Sequence, residues 1–246
     1  MIILFGASGL LGSAMCSLLK SKNRKFIGFS KSKPGFKKIN LLNKKNIIKV
    51  LEKNKPKILI NCAGLTDVDE CNRNIEKAYN ENSLITKNIV DSLNFINRKT
   101  DLVHISTDQI YNSKNIFKSN NEKNKNLNNV YSITKYIGEK NIEDYKNSLI
   151  IRTNFFGQSN SKYKKSYSDF IINSLKNKKK IKLPTNVIFN PVDINFLTSN
   201  ILKLCDLKIK GVYNLGAKDS ISKYNFGILI AKRFNLEKKN IKKFVS

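Results

Sequence analysis

Between Asn129 and Lys140 the chain reads NVYSITKYIGEK and contains Tyr-x-x-x-Lys twice, as Tyr131 with Lys135 and as Tyr136 with Lys140. Residues four apart share one face of a helix, so either lysine ammonium can stand beside its tyrosine phenol. A free phenol has a pKa of about 10, and a neighbouring positive charge lowers it. A tyrosine in that setting can protonate a carbonyl oxygen while hydride arrives at the carbon. Spacing alone does not choose between the pairs, because a lysine-rich chain produces them by chance. Context does: VHISTDQIY closes a strand pattern, Leu102 to Ser106, and sets Thr107 at the sheet's carboxyl edge, where open α/β sheets hold their ligands. A hydroxyl there can share a carbonyl oxygen with a tyrosine.

A second chemical signal lies at the N-terminus. GASGLLG follows an apolar β-rich run, Ile2 to Phe5, and opens a helical pattern. Glycines at 6, 9 and 12 permit a tight turn and close backbone approach, and a helix N-terminus offers free N–H groups and partial positive charge to a pyrophosphate. Gly6, Ser8, Gly9, Leu10, Leu11 and Gly12 are therefore the expected dinucleotide cradle, although their spacing departs from G-x-G-x-x-G. The next strand ends in GFSKSK, with no acid to bind a ribose 2′-hydroxyl. Ser30 and Lys31 are expected to hold a 2′-phosphate, which favours NADPH, with NADH the alternative.

These residues need a scaffold. KFIGF, KILINCAG, DLVHIS and SLIIRT read as strands, and helical patterns fall at LLGSAMCSLLK, KKNIIKVLEKN, Ile75 to Asn97 and from Tyr131. Such alternation predicts α/β architecture, a Rossmann-type doubly wound parallel sheet covered on both faces. The polar stretch from Asn112 to Asn129 reads as a long loop. Beyond Arg152 the pattern is less regular, with helices at about Tyr167 to Asn177, Asn195 to Asp206 and Lys223 to Phe234, a strand-like VIFNPVDI, and no obvious closing element at NIKKFVS. The expected division is a dinucleotide-binding domain over 1–153, rejoined by 191–210, and a small C-terminal substrate-binding part over 154–246.

Of the 246 residues, 46 are Lys or Arg and 18 Asp or Glu, a net charge of +28. A nucleic-acid partner is not expected, since the lysines are spread through the chain, mixed with asparagine, and lack interleaved aromatics. A positive field still attracts an anionic cofactor or nucleotide sugar. Four scattered cysteines and the single His104, inside a strand pattern, make no metal site. No signal peptide or membrane span is read, and a cytoplasmic location is expected.

Taken together, GASGLLG, NCAGLTDVDEC, STD, YSITK and RTNFFG resemble the extended short-chain dehydrogenase/reductases, and within them the dTDP-4-dehydrorhamnose reductase-like nucleotide-sugar reductases. The likeness runs on through NPVDI, GVYNLG and ISKYNFGILIAKRF. It implies Thr107, Tyr131 and Lys135 as the catalytic group and leaves Tyr136 and Lys140 outside. It also implies Ala63 and Gly64 beside the cofactor, Tyr131 and Lys135 in contact with it, Lys135 on the nicotinamide ribose, and Asn154, with Thr107 and Tyr131, facing substrate. The implied activity is NADPH-dependent reduction of the 4-keto group of a nucleotide-linked 6-deoxysugar for surface polysaccharide. The alternatives are a nucleotide-sugar epimerase or dehydratase, or a non-catalytic nucleotide-binding regulatory subunit. Related enzymes can form homodimers. Two departures stand out: Asn40-Leu41 replaces the Asp-Leu common in similar enzymes, and the chain ends sooner.

Overall fold

In the computed structural model, which describes residues 1–111, 127–159 and 161–245, strand β1 (Ile2–Phe5) is apolar and buried at every position. A strand covered on both faces requires that pattern. It turns into α1 (Leu10–Ser21), followed by β2 (Phe26–Ser30) and the short β3 (Lys37–Lys38). Helix α2 (Lys44–Asn54), capped by the Asn43 side chain, leads to β4 (Ile58–Asn61). A short α3 (Val68–Arg73), which the sequence reading lacks, is capped by Asp67. The helix expected from Ile75 is interrupted: a π-type turn, Asn80–Leu84, separates α4 (Ile75–Tyr79) from α5 (Ile85–Ile96). Then come β5 (Asp101–Thr107), α6 (Val130–Lys140) and β6 (Ser148–Thr153). Most of the expected loop, residues 112–126, lies outside the described residues.

The remaining elements are β7 (Phe155–Phe156), α7 (Tyr167–Lys176), β8 (Ile181–Pro184), β9 (Ile188–Phe189), β10 (Val192–Asp193), α8 (Ile194–Asp206), β11 (Gly211–Leu215), β12 (Ile221–Ser222), α9 (Lys223–Arg233) and β13 (Ile241–Phe244). Seven strands pair in the order β11-β6-β5-β4-β1-β2-β3, every pairing parallel. This is a Rossmann-type sheet. On one face, Leu11, Met15 and Leu19 of α1 pack with Leu197 and Ile201 of α8. On the other, Ile47 and Leu51 of α2 meet Ile85 and Ile89 of α5. The chain thus returns to the main sheet through α8, and β11 extends that return beyond residue 210.

A separate cluster joins Ile171 and Leu175 of α7, Leu183 of β8, and Phe226 and Ile230 of α9. Two sequence expectations change here. VIFNPVDI is not one strand but β9 and β10, broken at Asn190 and Pro191, because proline has no N–H for a ladder. NIKKFVS is not without structure: β13 pairs in parallel with β8, a partner too distant in sequence for local pattern to reveal. No helix among the described residues is long and apolar enough to cross a membrane.

Candidate active site

The turn after β1 places Gly6 at φ +76°, a left-handed conformation that glycine adopts without a Cβ clash. A Cβ at Gly12 would lie 2.1 Å from the Gly6 carbonyl oxygen, so α1 can approach the turn only with glycine there. No side chain caps α1 at Gly9 and its first turn carries no acid, which leaves N–H groups and dipole available to an anion. Gly6, Ser8 and Gly9 line a cavity of about 540 Å³ that runs past Ser30, Lys31 and Asn40 to Ala63 and Gly64. Leu10 and Leu11 instead face the core packed against α8, Leu11 fully buried there. A backbone cradle with this shape and polarity fits the pyrophosphate of a dinucleotide. Gly12→Ala is expected to cost about 1–3 kcal/mol through overpacking, and to weaken binding of a nicotinamide dinucleotide about tenfold or more as the turn moves. Denaturant melts and fluorescence titration with the reduced dinucleotide would read both effects.

Ser30 and Lys31 both reach this cavity, but neither side chain is idle. The buried Ser30 hydroxyl bonds Ser8 Oγ at 3.0 Å and accepts the Lys33 N–H at 3.1 Å. Lys31 pairs with Glu81 at 2.8 Å. An acid therefore does enter this end of the cavity, delivered by the π-type turn and not by β2. Asn40, at the family's usual aspartate, turns its Oδ1 to the Leu42 N–H at 3.0 Å.

Helix α6 begins with a capping box: Asn129 accepts the Ser132 N–H at 2.8 Å, and the Ser132 hydroxyl accepts the Asn129 N–H at 3.3 Å. From that fixed start, Tyr131, Lys135 and Glu139 follow at four-residue steps, all buried and on one face. Tyr131 hydrogen-bonds to Thr107 at the end of β5. Lys135 Nζ donates to the Ile105 carbonyl at 2.7 Å, and a Cβ on Gly64 would stand 3.9 Å from Nζ. Lys135 thus adjoins Gly64 at the end of the cavity, with Tyr131 one helical turn before it on the same buried face. Asn154 meets Asp108, next to Thr107, with Nδ2 to Oδ1 at 3.4 Å.

The electrostatics reverse one sequence expectation. Burial pushes the Tyr131 phenol up to about 12; the Thr107 hydrogen bond opposes this, and Asp108 and Cys71 add to it. Burial is the largest influence on the phenol, and the Lys135 ammonium, which donates to the Ile105 carbonyl, does not offset it. Burial instead lowers Lys135 to about 8, against the pull of Glu139. The resting phenol is neutral, the state a proton donor must occupy.

Tyr136 and Lys140 lie on another face, with Lys140 Nζ 5.8 Å from the Tyr136 ring centroid and 3.1 Å from Glu143. His104 is buried, with Nδ1 3.2 Å from Asn61 Nδ2. Burial, then the Lys135 charge, hold it well below its usual pKa, so it is neutral. Asn61 Oδ1 in turn accepts the Ala63 N–H at 3.1 Å, fixing the loop after β4. Among the described residues no cluster of His, Cys, Asp or Glu could hold a metal ion.

Sequence reading missed the supports. Asn82, buried in the π-type turn, accepts the Leu65 N–H at 2.8 Å and donates to Thr134 Oγ1 at 3.1 Å, tying the loop after Gly64 to α6. Glu139 accepts from Arg152 Nη2 at 2.6 Å, with both side chains buried, and from the Ser106 hydroxyl. Arg152 Nη1 donates to the Tyr111 hydroxyl at 2.6 Å. The four-residue step from Lys135 to Glu139 was a signal that a carboxylate shares this face of α6, though not that Arg152 meets it.

With this geometry in place, comparison with known proteins is informative. Spore coat polysaccharide biosynthesis protein SpsK of Bacillus subtilis is 25% identical over 238 residues, spanning 96% of this chain and 80% of its own. A crystal structure of a dTDP-4-dehydrorhamnose reductase from Clostridium acetobutylicum is similar at a TM-score of 0.87 and 25% identity, over 100% of this chain and 84% of that one. Methionine adenosyltransferase 2 subunit beta of Danio rerio is 23% identical over 96% of this chain and 74% of its own. The model of the RmlD substrate binding domain family matches residues 1–245, and this extended short-chain dehydrogenase/reductase-like chain belongs to that family.

Proposed function

We propose that the chain is a nicotinamide-dependent reductase of a nucleotide sugar, with NADPH as reductant and a 4-keto-6-deoxysugar as its substrate. The observation that carries this reading is Tyr131, beside Thr107 and one helical turn from Lys135, whose Nζ approaches Gly64 at the end of a glycine-cradled cavity. A bound reduced nicotinamide would supply the hydride that the carbonyl carbon receives. Tyr131 gives its phenolic proton to the carbonyl oxygen as the C=O bond becomes C–O–H, and the resulting phenolate is reprotonated from solvent. Thr107 donates to the same oxygen and orients it. The Lys135 ammonium steadies the phenolate and holds the nicotinamide ribose. The lobe built on α7 and α9 is the substrate-binding part, with Asn154 at its junction with the catalytic edge. Absence of an acid at the end of β2 supports NADPH, and the name of the Bacillus relative supports a place in polysaccharide synthesis.

Two measurements bear on this. Purified protein with NADPH and a panel of nucleotide-linked 4-keto-6-deoxysugars is expected to oxidise one NADPH per sugar consumed; NADPH binding without oxidation by any sugar would count against a reductase. The pH profile supplies a sharper expectation. The Lys135 ammonium is lost as pH rises through about 8, so kcat/KM should fall above that value, while Tyr131, at about 12, stays protonated. A profile flat to about pH 10, close to the pKa of an ordinary lysine, would contradict the role given to Lys135.

Similarity to the methionine adenosyltransferase subunit favours a second reading, a nucleotide-binding subunit without chemistry of its own. Binding of NADPH with no turnover, together with an unchanged protein after Tyr131→Phe, would support it. A dehydratase is disfavoured because Asp108 is followed by Gln109, where those enzymes tend to place a second acid.

A further inference from the structure

The segment after β7 does something the strand-and-helix pattern does not anticipate: it comes back to the dinucleotide turn. The buried Ser161 hydroxyl donates to the Ser8 carbonyl at 2.7 Å and accepts the Tyr163 and Lys164 N–H groups at 3.1 Å each. Tyr163 Oη then donates to the Pro34 carbonyl at 3.2 Å, just beyond β2. Lys33 Nζ lies 5.0 Å from the centroid of the Tyr163 ring, within cation–π range. Ser159 N–H donates to Asp169 Oδ2 at 3.2 Å, anchoring the strap to the first turn of α7. Lys33, Tyr163 and Lys164 all line the cavity.

The charges on that wall are unequal. Lys31 is neutralised by Glu81 at 2.8 Å, and Lys77 by Glu70. Among the described residues, no ion pair engages Lys33 or Lys164. Phosphate bound at this end of the cavity would find its strongest uncommitted cations on the loop after β2 and on the strap.

We infer that Lys33, Tyr163 and Lys164 form a composite subsite for the adenosine 2′-phosphate, so that the strap from the C-terminal part of the chain decides between NADPH and NADH. Tyr163 is the organiser: its ring holds Lys33 over the cavity, and its hydroxyl pins the strap to Pro34. Lys164, on the strap, lines the same cavity and supplies the second cation. The inference rests on the reading of the cavity as a dinucleotide site and deepens it.

The test is calorimetric titration of the intact chain with adenosine 2′,5′-bisphosphate and, separately, with 5′-AMP, which lacks the 2′-phosphate. Both lysines are exposed, so Lys33→Gln and Lys164→Gln should fold normally, and a thermal melt checks this. Wild type is expected to prefer the bisphosphate by about tenfold or more, a size typical of charge-assisted phosphate contacts. Each variant should reduce that preference by at least about threefold, and the pair should abolish it, with 5′-AMP affinity little changed. An undiminished preference in Lys164→Gln would overturn the strap's role while leaving the dinucleotide site intact. Failure of wild type to bind either nucleotide would overturn the dinucleotide reading and the subsite with it.

Discussion

Tyr131→Phe should lower turnover of the keto sugar by about 10²–10⁴-fold, the range for removing a positioned general acid, while leaving NADPH affinity within about threefold, because losing one hydroxyl among the dinucleotide's many contacts costs little. The phenol is buried, neutral and hydrogen-bonded to Thr107, so its removal takes away the proton and one of the two donors aimed at the carbonyl oxygen. Phenylalanine preserves the ring that packs with Leu65, Cys71 and Ala78, and the variant should fold. Tyr136→Phe is the control: its ring lies on another face of α6, 5.8 Å from Lys140 Nζ, and turnover should stay within about twofold, as for changes away from a site. Steady-state rates with the two variants side by side would decide between the overlapping pairs. Equal losses in both would remove the assignment of Tyr131.

Glu139→Ala should be the most damaging change to stability. Its carboxylate is buried against Arg152 and takes bonds from Nε and Nη2 and from the Ser106 hydroxyl. Burial alone would weaken the guanidinium charge, and Glu139 more than offsets that, holding the Arg152 pKa above its ordinary value. Deleting one partner leaves a buried, uncompensated charge, at a cost of about 3–5 kcal/mol. The double variant Glu139→Ala with Arg152→Met should recover part of this, since removing both partners takes the stranded charge away. Urea melts of the single and double variants would read the difference. Loss of Glu139 also removes the carboxylate that raises Lys135, so any activity left should show its alkaline fall at lower pH than wild type. A single variant as stable as wild type would mean that the pair does not lock α6 to β5 and β6.

What the sequence made legible was whatever local pattern encodes. Helix α2 was bounded to the residue by KKNIIKVLEKN, and the parallel sheet followed from alternating apolar runs. The candidate site divides along the same line. Gly12 announces itself by position, and Tyr131 with Lys135 by spacing. Glu81, Asn82 and Arg152 do not, because each reaches the site through a contact distant in sequence: Glu81 finds Lys31 across 50 residues, and Asn82 finds Thr134 across 52. The π-type turn that aims Asn82 has no signature in a 3.6-residue period. Leu10 and Leu11 can serve the cradle only through their backbone. They stand inside the glycine motif, yet their side chains belong to the core under α8. The direction of the Tyr131 shift was equally out of reach, since spacing places lysine near tyrosine but does not say that burial of the phenol outweighs other influences.

The central claim is net reduction of a keto sugar, with hydride from the nicotinamide and proton from Tyr131. It is tested most directly with NADPH carrying deuterium at the transferable position, incubated with a nucleotide-linked 4-keto-6-deoxysugar and analysed by mass spectrometry. One deuterium retained on carbon in each product molecule, with one equivalent of oxidised cofactor and no product from Tyr131→Phe, is the result expected. A sugar product without deuterium, formed while the cofactor stays reduced, would contradict it.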